Sequence, residues 1–134
     1  MSRPGTAIPV TLVSWTLLVW STRIGNIWND AALADGEKWG RTGLAVSFTV
    51  LALGAALALW RRHRSAHVAL AALAAWTVAV WVPRAVGIIA GDHDAGFVAV
   101  HVVLAAVSCT LAGLTAAGLV RGRERQVNAP DLSG

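Results

Sequence analysis

The sequence predicts an all-α fold, an integral membrane four-helix bundle with its N and C termini cytoplasmic. Three observations carry this expectation. Four apolar runs approach or exceed the ~20 residues that a helix needs to cross the hydrocarbon core of a bilayer. Charged residues make up only 13% of the 134-residue chain, where a soluble domain carries about 25%. Basic and acidic residues also fall on alternate connections, as they do in a chain threaded back and forth through a membrane.

The first span covers about residues 8–24. Pro9 lies in its first turn, where a missing N–H costs little, and the helical phase continues through "WSTRIGNIWND" to Asp30. The second span covers about residues 42–60 and the third residues 66–90. Pro83 in the third is expected to bend the helix and free a carbonyl. The fourth covers about residues 96–120. The connections "RRHRS" and "GDHDA" are short enough to force antiparallel neighbours. The chain therefore reads as one four-span domain over residues 1–127, with a polar, unstructured tail over residues 128–134. "ALA" at Ala32–Ala34 resembles a leader cleavage site. The polar stretch before it is too long for an ordinary leader, so the first span is expected to remain.

Orientation follows from the basic residues. Of the 11 Lys and Arg, Arg3, Arg61, Arg62, Arg64, Arg121, Arg123 and Arg125 share one side. Arg23, Lys38, Arg41 and Arg84 share the other, together with Asp30, Asp35, Glu37, Asp92 and Asp94. The positive-inside rule then puts "RRHR" in the cytoplasm and the two acidic connections outside. The expected location is the cell membrane, as a multi-pass protein. A pI near 11.1 would fit nucleic acid, but the arginines cluster beside apolar spans, so orientation accounts for them and no nucleic-acid partner is expected. Cys109 is the single cysteine, which excludes a disulfide within one chain. The chain has 7 Trp, no Tyr and 2 Phe, a bias expected of rings at the headgroup level.

Lipid tails give helices no hydrophobic reason to associate, so small residues and polar contacts are expected at the interfaces. The second span offers Gly40, Gly43, Ser47, Gly54 and Ala58 on one face. The third offers Ala71 and Ala75, and the fourth Cys109, Gly113 and Ala117.

Function turns on the polar residues. On the first helix Thr16, Arg23, Asn26 and Asp30 recur at helical spacing, with Trp15 and Trp20 flanking them and Trp28 opposite. On the fourth, His101, Ser108 and Thr115 are seven apart. His101 falls roughly 8 Å inside its span at 1.5 Å per residue, and Arg84 lies at a comparable depth on the third. Polar groups at such depth face protein, water or headgroups rather than lipid tails. Arg23 and Arg84 either stretch to the headgroups or turn inward. Turned inward, they would pair with Asp30, Asp92 or Asp94 and form an outward-facing polar pocket of Arg23, Asn26, Asp30, Arg84, Asp92, His93, Asp94 and His101.

Oxygen and imidazole donors at Asp92, His93 and His101 make a weak metal set. A solvated turn with Gly91 ending the third helix and Asp94 capping the fourth explains the same residues more simply. His63 and His67 are four apart, but they fit a basic turn. His101 has no intramembrane histidine partner for haem, and no metal, haem or other cofactor is expected. The sequence has no nucleophile elbow, phosphate-cradling loop or nucleotide fingerprint, so the chain is not expected to be an enzyme. The expected function is an accessory or scaffold subunit of a membrane assembly, with the bilayer and either another membrane protein or a second copy as partners. The alternatives are a small-solute or ion transporter or binding protein built on the polar pocket, and an interfacial metal or quinone site in electron transfer.

Overall fold

The computed structural model describes residues 5–130. These form four helices: α1 (Ala7–Asn29), α2 (Asp35–Trp60), α3 (Ala66–Ala90) and α4 (Ala95–Val127). At 1.5 Å per residue they are about 35, 39, 38 and 50 Å long, against a hydrocarbon core of ~30 Å. All four are long and apolar enough to cross a membrane, which makes the chain a multi-pass membrane protein by helix length and composition. Arg3 from the orientation count and residues 131–134 of the expected tail lie outside the described residues.

Neighbouring helices in the chain pack on one another, and α1 closes the ring against α4. The α1–α4 contact is the least extensive of the four. One end of the bundle carries the α1–α2 and α3–α4 connections. The other carries the α2–α3 connection.

Two helices outrun the apolar stretches that announced them. α2 begins at Asp35 rather than near residue 42, with Asp35 and Glu37 in its first turn, where carboxylates suit the positive end of the helix dipole. α4 continues past residue 120 through Arg121, Arg123 and Arg125, with Arg125 in its last turn, where a cation is favoured. Hydropathy marks where a helix leaves the bilayer, whereas the backbone stops only where turn chemistry stops it.

The turns show that chemistry. After α2, Arg62 takes a left-handed conformation with φ 50°. Its N–H donates to the Leu59 carbonyl at 3.2 Å, and the His63 N–H donates to the Ala58 carbonyl at 2.9 Å. This is the paired helix-ending arrangement that usually places glycine where Arg62 stands. The Ser65 N–H donates to His63 Nδ1 at 3.1 Å, so His63 belongs to the turn, while His67 is exposed on α3. After α3, Gly91 closes the helix, its N–H bonding to the Gly87 carbonyl at 3.0 Å. A Cβ on Gly91 would lie 2.7 Å from the His93 ring, so glycine lets that ring lie against the backbone. Asp94 accepts from the Gly96 N–H at 3.1 Å and caps α4, as its position between the spans predicts.

The small-residue faces hold only in part: Ala58 is buried, Ser47 bonds across to α3 and Cys109 packs against the core, but the glycines do not face the bundle. Gly40, Gly43 and Gly54 of α2 and Gly113 of α4 meet nothing within 4 Å of where a Cβ would sit, and Ala71 and Ala75 of α3 are exposed. The bundle closes instead on Ala45, Phe48, Ala52 and Ala55 of α2, with Leu12, Val13 and Trp20 of α1, Leu70, Leu73 and Trp81 of α3, and Ala105 and Ala112 of α4. A glycine removes volume, but a close-packed interior also needs atoms to fill it. Phe48 and the two tryptophans supply them. Trp20 stacks on Phe48 with centroids 4.2 Å apart and planes 9° apart, and its centroid is 5.9 Å from that of Trp81.

The polar stripe of α4 does face inward. His101, Ser108 and Thr115 are buried, as is Thr16 of α1. Thr16 donates to the Leu12 carbonyl at 2.8 Å, the helical back-bond open to buried hydroxyls. Trp15 Nε1–H donates to Ser108 Oγ at 3.0 Å, joining α1 to α4. Trp76 Nε1–H donates to Ser47 Oγ at 3.1 Å, joining α3 to α2.

Candidate functional site

The site lies at the end of the bundle that holds the two acidic connections. Its floor is the cluster of Trp20, Phe48 and Trp81 from α1, α2 and α3. Arg23 lies three residues beyond Trp20 and Arg84 three beyond Trp81, each about 4.5 Å further along its helix. The spacing that buries each tryptophan therefore carries an arginine to the level just above it, on nearly the same face.

Arg23 meets His101 across the α1–α4 seam, with Nη1 and Nε2 3.2 Å apart. His101 Nδ1 is 2.8 Å from the Phe97 carbonyl oxygen. A carbonyl only accepts and a guanidinium only donates, so the two contacts fix the imidazole. Nδ1–H donates to Phe97, and the Nε2 lone pair accepts from Arg23. His101 is thus neutral, with both nitrogens engaged. The Phe97 ring lies 4.0 Å from that of His101, and the His93 ring lies 5.2 Å from Phe97 on the other side. Phe97 and His101 stand one turn apart on α4, and His93, in the connection before the helix, continues the row of rings.

Arg84 of α3 and Arg41 of α2 come close enough to Arg23 to repel it, and Arg41 acts on Arg84 in the same way. Each of the four helices thus contributes a nitrogen base to one end of the bundle. Arg84 Nε is buried without a hydrogen-bond partner, and so is Thr42 Oγ1 beside Arg41 in α2.

The carboxylates expected to balance these cations stay away. Asp30 ends α1 and accepts from the Ala32 N–H at 2.9 Å, Asp94 caps α4, and Asp92 is exposed. No ion pair forms among the described residues. The expected pocket therefore divides. Arg23, Arg84 and His101 converge with Asn26 at their edge, while Asp30 and Asp94 bond within the turns and Asp92 is exposed. His93 faces Phe97 and the Gly91 backbone. The weak metal set of Asp92, His93 and His101 does not assemble, for no three His, Cys, Asp or Glu side chains gather among the described residues. The carboxylates lie on turns whose own N–H groups engage two of them, and His101 has no free lone pair.

Arg41 and Thr42 are site residues that sequence reasoning passed over. A helix assumed to start near residue 42 leaves Arg41 in a loop without phase. With the start at Asp35, Arg41 stands seven residues before Phe48, in phase with it but itself exposed at the end of the helix, and that spacing would have found it.

A cavity of about 220 Å³ lies between α1 and α4 beside the Arg23–His101 contact. The chain matches no protein-family model, no curated protein and no solved structure.

Proposed function

We propose that this chain is a non-enzymatic multi-pass protein of the cell membrane that binds an anionic group at the outer mouth of its helix bundle. One observation carries the reading. Three arginines and a neutral histidine, one from each helix, gather where no carboxylate pairs with them, and Arg84 Nε is buried without an acceptor. Like charges held together in a partly dry site cost free energy unless something of opposite sign joins them. Guanidinium forks suit phosphate and carboxylate oxygens. The role of His101 is to orient Arg23, because its one free acceptor is used on that side chain.

The accessory-subunit reading assigned Thr16, Arg23, Asn26 and Asp30 to a partner chain. In this fold Thr16 and Arg23 make their contacts within the chain, which leaves Asn26 and Asp30 for a partner. An interfacial metal or quinone site has less support, because both His101 nitrogens are engaged.

The test is thermal unfolding of the purified chain in zwitterionic detergent, with phosphate or sulfate added against chloride at equal ionic strength. Phosphate or sulfate should raise the midpoint in a saturable way, and Arg84→Gln should remove the effect. A midpoint that follows ionic strength alone, whichever anion supplies it, refutes the proposal.

A further inference from the structure

The cavity beside Arg23 is not a closed chamber inside the bundle. It lies in the seam between α1 and α4, the least extensively packed pair of neighbours. Three of its lining residues face outward, Thr22, Asn26 and Val100, the last 57% exposed. Its lining is graded along the bundle axis. Asn26 stands at the outermost level, Arg23 and His101 follow with Thr22 and Val100 beside them on the lipid-facing side, and Val19 and Leu104 line the deeper end. A polar mouth thus runs into an apolar trough on a surface that lipid covers.

At about 220 Å³ the cavity falls below the ~300–1,000 Å³ of pockets that enclose a whole drug-sized ligand. It has room for a headgroup and the first part of a chain, and the rest must run on along the outside of α1 and α4. A free inorganic anion has no use for the apolar half. Arg23 offers five N–H donors, of which one contact goes to His101, and the Asn26 amide is exposed beside it. Thr22 adds no donor, since its hydroxyl bonds to the Leu18 and Val19 carbonyls of its own helix.

We infer that the anion at this site arrives on an amphiphile, an anionic phospholipid of the surrounding leaflet, with its phosphate on Arg23 and Asn26, in the positive field that Arg84 and Arg41 set up at Arg23, and its acyl chain along Val100 into the trough of Val19 and Leu104. This inference rests on the anion-binding reading above and adds the ligand class and its route, sideways from the bilayer through the α1–α4 seam. Charge complementarity selects the anionic headgroup, and the graded lining selects the tail.

The full chain is placed in nanodiscs of phosphatidylcholine doped with phosphatidic acid, and the lipids it retains are counted by native mass spectrometry. Phosphate-dependent stabilisation is measured in parallel. Wild type should retain phosphatidic acid over phosphatidylcholine by about tenfold or more, the scale of one charge-assisted contact. Val100→Trp, which fills the trough without touching a charge, should lose that preference and keep the response to inorganic phosphate. Thr22→Trp fills the same trough from α1, so the result does not depend on one variant folding. Arg23→Gln should lose both responses. Retention of phosphatidic acid by both tryptophan variants, or no lipid preference in a wild type that still responds to phosphate, overturns the amphiphile and leaves the anion site standing. A wild type that answers to neither probe overturns both.

Discussion

Arg84→Met separates stability from binding most sharply. Arg84 Nε is buried with no acceptor, and Arg41 and Arg23 are both close enough to repel the guanidinium. A buried donor left unsatisfied costs about 1–3 kcal/mol. Methionine keeps an unbranched apolar stem and removes both the orphan donor and the charge. The variant should therefore be more stable than wild type by about 1–3 kcal/mol in phosphate-free, zwitterionic detergent. Added anion reverses the order. A ligand that binds only the folded state stabilises wild type by about 2.7 kcal/mol at a hundred times its Kd, and the variant gains nothing. Unfolding followed by tryptophan fluorescence reads both states, because Trp81 is buried one turn from Arg84. A variant less stable than wild type without anion would mean that Arg84 already has a partner in the fold, and the argument for an unfilled site would fail.

Three further outcomes are expected. His101→Phe takes the acceptor from Arg23 and should weaken phosphate binding about tenfold, a charged hydrogen bond being worth about 1.5–3 kcal/mol; titration calorimetry reads it, and unchanged affinity would remove His101 as the orienting group. A double-mutant cycle of Trp15→Phe and Ser108→Ala should show a coupling of about 0.6 kcal/mol, the scale of interhelical hydrogen bonds in membranes, measured by equilibrium unfolding. Orientation is checked in a Cys109→Ser background, where Asp92→Cys should react with a membrane-impermeant maleimide on intact cells and His63→Cys should not. The reverse pattern would invert the bundle.

The positions of the four helices could be read directly, as could the turn between α3 and α4. Gly91 and Asp94 end one helix and begin the next through local chemistry that belongs to those residues wherever the bundle sits. The inward stripe of His101, Ser108 and Thr115 was also legible, because polar groups seven apart have few places to go in lipid. Trp20 was not. A tryptophan near the end of a span suits the headgroup zone as well as a core, and only the Phe48 ring opposite decides that it is 2% exposed. Arg41 is not legible in the same way, because the apolar run that marks α2 begins after it while the helix begins at Asp35.

The sequence alone determined that the chain is four helices of membrane-spanning length, since the bilayer sets a one-dimensional requirement of length and hydropathy that each segment meets or fails by itself. Tertiary structure decided which face of each helix meets the others. In water the hydrophobic effect separates inside from outside and writes the answer into the period of apolar residues. In lipid both sides of a helix are apolar, so the glycines of α2 could face outward while Phe48 filled the core. For the same reason the sequence could group Arg23 and His101 at one end of the bundle but not tell that Arg23 would bond to His101, 78 residues away in the chain, rather than to the carboxylates near it.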